Sequence, residues 1–294
     1  MGGVEMKEDI LSLLQSKIHT FSKGQRAIAR FISESYDKAA FMTANKLGRL
    51  VGVSESTVVR FAVELGYDGY PSMQKAMQEM VLNRLTSVQR IGVTNDRLGD
   101  QDVVSVVLQE DMDRLRQTSE TLDRTAFRHA IKLLMSARRI YVLGVRATAP
   151  LANFLGYYLN YMFDNVHVIN TSGASDMFEK LVGIGPDDAV VSFSFPRYST
   201  AILKGTQFCR SVGAKVIGIT NSAVSPLAEC CDQVLIAKSD MVSLVDSLVA
   251  PMSVVNALIV ALAAEKQQTI AKTFDTLERV WEEYNVYEKR NERL

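Results

Sequence analysis

The chain has 294 residues, 47% of them hydrophobic, with 33 Lys/Arg balanced by 33 Asp/Glu. That length allows two domains, and the zero net charge excludes a chain held on nucleic acid or an anionic membrane by bulk charge alone. Three cysteines (Cys209, Cys230, Cys231) and three scattered histidines (His19, His129, His167) suggest neither a disulfide framework nor a metal site, and point to a reducing cytoplasm.

Residues 11 to 42 read as helices. Leu11, Leu14 and Ile18, then Ala27, Ile28, Phe31 and Ile32, recur at helical spacing, with Ser22 placed as a cap between them. From 43 to 71 the pattern is a short helix, a tight turn at Gly52-Val53 and a second helix opened by Ser54, the layout of a helix-turn-helix. On that second helix Val58, Phe61, Ala62 and Leu65 form one buried stripe, whereas Ser56, Arg60 and Val63 face outward with Thr57 and Glu64 at the edge. Small hydroxyls at the helix start allow close approach to phosphates or base edges, and Arg60 suits either; its alternative is an ion pair with Glu64. The residues expected to meet double-stranded DNA are Thr43, Lys46, Ser54, Ser56, Thr57 and Arg60. Residues 1–90 carry 12 Lys/Arg against 9 Asp/Glu, so the motif rather than the charge carries this reading.

Another amphipathic helix is expected over 72–85, with Met73, Ala76, Met77 and Met80 inward. The polar, aperiodic stretch 90–100 is placed as a linker. Helices over 102–119 and 123–138 lead into a second domain with βα alternation. Its strand candidates are 140–143, 166–169, 189–193, 215–219 and 234–236, and its helices 150–163, 174–182, 200–212 and 226–230. A long apolar helix is expected over 244–264; the stretch 247–264 holds Pro251, Ser253 and Asn256 and suits a buried helix better than a bilayer, so no membrane span is expected. The fold class is therefore an all-α helix-turn-helix domain followed by an α/β three-layer sandwich on a five-stranded parallel sheet of flavodoxin-like type. The boundaries expected are 1–86 for the helical domain, 87–122 for linker and connecting helix, 123–270 for the α/β domain and 271–294 for a C-terminal amphipathic helix.

In such sheets ligands bind beyond the carboxyl ends of the strands. Two segments there, 143–150 and 192–200, each join small hydroxyl residues to one arginine just before a helix, a combination suited to phosphate or carboxylate. Capping alone is the other reading for Thr148 and Ser199, and a structural ion pair for Arg146 and Arg197. Neither segment is a Gly-rich nucleotide loop, which counts against NAD or ATP, and no cofactor is expected.

The chain resembles the RpiR-type bacterial transcription regulators, a helix-turn-helix head followed by a sugar isomerase (SIS) domain. The resemblance rests on residues 53–61 and 65–70 in the head, and on 140–144, 213–222, 225–228 and 229–232 behind it. It implies DNA binding controlled by a phosphosugar, with phosphate contacts at Ser194 and Ser199 and Thr148 as a third candidate; together with the arginines read from the two segments, the residues expected to hold the effector are Arg146, Thr148, Ser194, Arg197, Tyr198 and Ser199. Two motifs depart from the family pattern. Gly-x-Gly-x-Ser becomes Gly144-Val145-Arg146-Ala147-Thr148, and Ser-x-Ser-Gly-x-Thr becomes Ser194-Phe195-Pro196-Arg197-Tyr198-Ser199. The added arginines suggest an anionic effector such as a sugar acid or a differently placed phosphate. A sugar isomerase is the alternative, with Asp176, Glu179, Asp240 and Asp246 as acidic candidates, but none sits in a catalytic motif, and no enzyme is expected; a ligand-independent architectural protein is the third class. Operators are usually read by two-fold related heads, so a homodimer or tetramer is expected. Candidate contacts for it are the helix around 249–264 and the tail residues Phe274, Leu277, Val280, Trp281 and Tyr284.

Overall fold

The computed structural model describes residues 10–84, 91, 94, 98–99, 101–171, 173–239 and 245–287. It divides into two compact units, one of residues 1–97 with 242–244 and one of residues 98–241 with 245–294. The division falls inside the segment read as a linker, whose own residues 90–100 lie mostly outside the described ones.

The first unit is helical: α1 (Ile10–Lys17), α2 (Lys23–Glu34), α3 (Tyr36–Ala39), α4 (Ala44–Val51), α5 (Glu55–Glu64) and α6 (Tyr70–Arg84). Ser22 opens α2 with a capping box: its hydroxyl accepts from Gln25 N–H at 3.4 Å and the Gln25 side chain accepts from Ser22 N–H at 2.8 Å. The core gathers Leu14, Phe21, Ile28, Ile32, Leu47, Val58, Phe61, Met73 and Met77. Phe21 meets Phe61 edge to face with ring centroids 5.1 Å apart, pinning α5 to the helices before it.

The second unit starts with α7 (Val103–Thr121) and α8 (Arg124–Ser136). Then β1 (Ile140–Leu143), α9 (Ala149–Leu159), β2 (Val166–Ile169), α10 (Ala174–Leu181), β3 (Ala189–Phe193), α11 (Thr200–Ser211), β4 (Lys215–Thr220) and β5 (Gln233–Ile236) alternate. The helices α12 (Val249–Glu265) and α13 (Gln267–Glu283) follow. The sheet is parallel throughout in the order β2-β1-β3-β4-β5. Its central strands are buried on both faces, which is why they read as unbroken apolar runs. Strand residues of one parity, Ile140, Val142, Val191 and Ile217, pack with Leu134 of α8, Leu151 and Leu155 of α9, and Val255 and Leu258 of α12. Those of the other parity, Tyr141, Leu143, Val190 and Val216, pack with Met177 and Leu181 of α10 and Ile202 and Cys209 of α11. This is the expected three-layer sandwich.

Several helix bounds differ from expectation for local reasons. The helix expected over 150–163 stops at Leu159, where Asn160 donates to Gly156 O through both its backbone N–H, at 3.1 Å, and its side chain, at 2.8 Å. Residues 226–230 form only a 3-10 turn, at Ala228–Cys230. The apolar helix begins at Val249 rather than 244, because the Ser247 hydroxyl accepts the Val249 N–H at 3.3 Å; residues 240–244 lie outside the described ones. This helix covers the sheet with Ala250, Pro251, Val254, Val255, Leu258 and Leu262, while Val249 and Val260 remain exposed. Among the described residues no single helix is long and apolar enough to cross a membrane; only α12 and α13 together pass such a test, and they are bent by 96°.

Candidate DNA-reading and ligand sites

The helix-turn-helix is closed by local chemistry. Gly52 ends α4 in the left-handed region at φ 75°, where a side chain is strained, and Val53 N–H donates to Gly48 O at 2.8 Å. Gly48 permits that closeness: a Cβ there would lie 2.8 Å from Val53 O. Thr43 caps α4 by accepting from Lys46 N–H at 3.2 Å, and Ser54 caps α5 by accepting from Thr57 N–H at 3.3 Å. The Ser54 hydroxyl also lies 2.9 Å from that of Ser56 and 2.8 Å from that of Thr57. Asn45 donates to Glu55 across the turn at 3.1 Å.

Val58, Phe61, Ala62 and Leu65 are buried as the spacing requires, and Lys46, Ser56, Arg60 and Val63 are exposed. The Glu64 carboxylate, which the alternative reading paired with Arg60, accepts from the Gln25 side chain, while Arg60 Nε donates to Ser56 O at 3.3 Å. All six DNA candidates thus lie on α4, α5 and their caps. Two of them, Thr43 and Ser54, use their hydroxyls to hold helix ends.

In the second unit the sheet order reverses between β1 and β3, the place where open α/β sheets form a crevice. The two predicted ligand segments leave those neighbouring strands, paired through Leu143 and Ser192. Thr148 links them: its hydroxyl donates to Val145 O at 2.9 Å and lies 3.5 Å from Phe193 O. It makes no side-chain cap on α9, whereas Ser199 caps α11 by accepting from Ile202 N–H at 3.5 Å. Ser194 is buried, with its N–H donating to Ile219 O at 3.3 Å.

Arg146 and Arg197 are both exposed and both left-handed, at φ 55° and φ 62°. Each stands two residues before the hydroxyl that precedes its helix, Thr148 and Ser199. A non-glycine residue pays about 1–2 kcal/mol for that conformation, so each loop keeps a glycine-type backbone with a guanidinium attached.

Two residues beside this crevice, Asn221 and Lys238, were not singled out from the sequence. Tyr198 donates its hydroxyl to Asn221 Oδ1 at 2.9 Å, just past β4, and Lys238 Nζ, just past β5, donates to Asn221 O at 3.2 Å. Lys238 N–H in turn donates to Thr118 Oγ1 of α7 at 2.9 Å. Their signal was position alone, directly after a strand.

The acidic residues weighed for isomerase chemistry are otherwise engaged where they are described. Asp176 pairs with Lys180 at 3.4 Å and has a pKa below the ordinary value, chiefly through a hydrogen bond from Thr171. Glu179 accepts from Ser175 at 2.9 Å, and Asp240 lies outside the described residues. Burial pushes the Cys209 and Cys231 thiols up to about 12, which leaves them protonated and unreactive.

Comparison with known proteins agrees with both halves. Residues 8–83 match the helix-turn-helix domain of the rpiR family, and residues 133–261 match the SIS domain. The chain belongs to the RpiR family. Among its relatives, the transcriptional regulator HexR of Pseudomonas aeruginosa is 23% identical over 257 residues, covering 85% of this chain and 88% of that one. HexR of Escherichia coli is 26% identical, covering 75% of this chain and 74% of that one. The sugar isomerase domain of an RpiR transcription factor from Sphaerobacter thermophilus is 26% identical, with TM-score 0.58, covering 61% of this chain and 99% of that one. NanR of Vibrio vulnificus, solved with ManNAc-6P, shares the fold at 22% identity and TM-score 0.56, covering 92% of this chain and 98% of that one. This RpiR-family chain is a DNA-binding transcriptional regulator with a SIS domain.

Proposed function

We propose that the SIS domain senses an anionic sugar metabolite, a phosphosugar or a sugar acid, at the β1–β3 crevice, and that occupancy alters operator binding by two helix-turn-helix heads of a homodimer or tetramer. The carrying observation is the pair of left-handed arginines, Arg146 and Arg197, on neighbouring loops with Thr148, Ser194 and Ser199. Two guanidiniums beside helix N-termini favour an anion, and bidentate geometry suits a carboxylate as well as a phosphate. The phosphosugar held by NanR agrees with this class of ligand. In the first unit, Lys46, Ser56, Thr57 and Arg60 present a small, polar surface with cations, suited to the major groove.

An effector acts only through unequal affinity for two arrangements of the protein. The test is fluorescence anisotropy of DNA from the region upstream of the coding gene, titrated with protein, with and without a pool of phosphosugars and sugar acids. Specific binding shifted by the pool, with Arg197→Ala removing the shift but not the binding, is the expected result. Specific binding indifferent to every member of the pool would overturn the sensing half of the reading. An isomerase activity that survives removal of residues 1–90, in a chain that binds no DNA, would replace it.

A further inference from the structure

Among the described residues of the first unit, three large apolar side chains stand open to solvent: Leu50 at 57%, Val59 at 38% and Val63 at 56%. Leu50 belongs to α4, whereas the two valines share α5, the reading helix. At about 100° per residue, Ser56, Val59, Arg60 and Val63 fall within an arc of about 100° on that helix. The opposite side carries Val58, Phe61 and Ala62, which are buried in the core. Spacing of i, i+3, i+4 and i+7 is how a helix lying in the major groove presents its side chains to successive bases.

Folding of the head does not account for the pair. A β-branched residue on an exposed helix face loses rotamer freedom and leaves its methyls in water, where Lys, Gln or Glu would form the helix better. Neither valine packs against the core of its unit, although Val51 and Val53 do. The same stiffness is useful to a surface that reads. In a helix valine holds essentially one χ1 rotamer, so both methyls are in place before contact. Arg60 leaves them uncovered, because its Nε donates to Ser56 O one turn back at 3.3 Å.

We infer that Val59 and Val63 select thymine, each packing against the 5-methyl group that thymine alone of the four bases carries into the major groove. The mixture on this face supports DNA as the occupant. An apolar protein surface would strand Ser56 and Arg60 against it, whereas the groove floor sets methyl groups among hydrogen-bond donors and acceptors. Four residues of helix advance about 6 Å, against about 3.4 Å between base steps, so the two thymines lie one or two steps apart. The inference rests on α5 as the reading helix and adds the base that it prefers.

The experiment uses the full chain and the duplex that it selects from a random-sequence DNA pool. Each thymine of that duplex is replaced in turn by deoxyuridine, which lacks only the 5-methyl group. Fluorescence anisotropy then gives the affinity of wild type, Val59→Ser and Val63→Ser for each duplex. Losing one buried methyl contact is worth about fourfold in affinity. Wild type should lose that much at a pair of thymines one or two steps apart. Each loss should fall away in one of the two serine variants, as a double-mutant cycle requires of a direct contact. Circular dichroism should show both variants folded, since neither valine belongs to the core, and the deoxyuridine scan of wild type needs no variant. Deoxyuridine tolerated at every thymine, or methyl losses that persist in both variants, would overturn the inference and leave α5 as the reading helix. Failure to select any duplex would overturn that assignment and the inference with it.

Discussion

Replacing Gly48 by Ala sets a methyl group 2.8 Å from Val53 O and 3.4 Å from Glu55 N. Carbon and carbonyl oxygen settle at about 3.3–3.6 Å, so the turn must retreat by about 0.5 Å. Both obstructing atoms are backbone, and no rotamer change relieves them. The retreat stretches the 2.8 Å bond from Val53 N–H to Gly48 O and shifts the start of α5 relative to α4. Overpacking of this kind costs about 1–3 kcal/mol of folding free energy in the head. The displaced recognition helix should lose about tenfold or more in specific DNA affinity. Gly52→Ala is the matched control: it strains a residue at φ 75° but meets nothing within 4 Å. It should cost about 1–2 kcal/mol in stability while leaving α5 where it is. Anisotropy on operator DNA, well below the melting temperature of either variant, separates the two. DNA affinity unchanged in Gly48→Ala, or lost equally in both, would refute this account of how the turn places the reading helix.

Arg60→Ala should weaken binding to every sequence and lower the salt slope by about 1 if the guanidinium meets a phosphate; if it meets a base, the loss should be about 1–3 kcal/mol on the specific site only, read from titrations at several salt concentrations. Asp188, its side chain fully buried, accepts from Arg138 and Arg139 at 3.0 to 3.2 Å and from Gly185 N–H at 2.9 Å. Burial pushes its carboxyl up, but the bonds from Arg138 and Arg139 outweigh this and hold the pKa below the ordinary value. The stabilisation is therefore complete above the unfolded carboxylate pKa of about 4 and lost as pH falls through the lower folded value. Asp188→Asn should cost about 3 kcal/mol at neutral pH in denaturant titration, and the deficit should shrink on the acid side. Arg146→Gly should relieve a left-handed side chain, raise stability by about 1 kcal/mol in thermal melts and blunt the response to the effector; a destabilised protein would show that the arginine packs structurally instead.

The elements that the sequence made legible were those with a strong period or two buried faces. Val58, Phe61, Ala62 and Leu65 follow the helical repeat, and the strands at 140–143 and 189–193 match their observed bounds because a buried parallel strand is apolar throughout; the edge strand 166–169 also matches, although only Ile169 of it is buried. Strand order was not legible, since crossovers leave no mark in local composition. Thr148 shows how capping can mislead: it has φ −92° and ψ −8°, not the extended backbone an N-cap needs, so its hydroxyl turns back to Val145 O. Asn221 and Lys238 escaped notice because what joins them to Tyr198 is the adjacency of β3, β4 and β5, which no spacing in the chain encodes.

The two arginines pose an energetic question that bears on what this regulator senses. Each occupies a left-handed position that glycine would fill at about 1–2 kcal/mol less strain, and both lie on loops at the sheet's switch point. A single such residue is tolerable as local accident. Two at matching places, each two residues ahead of a hydroxyl at a helix start, point to a shared role. An anion in the crevice would add a charge-assisted bond to each guanidinium and offset part of the strain. On this reasoning the cations raise affinity for the charged part of the effector rather than for its sugar hydroxyls. A neutral sugar should compete poorly with its own phosphate or acid, and raising salt should weaken effector binding more in the wild type than in Arg146→Gly.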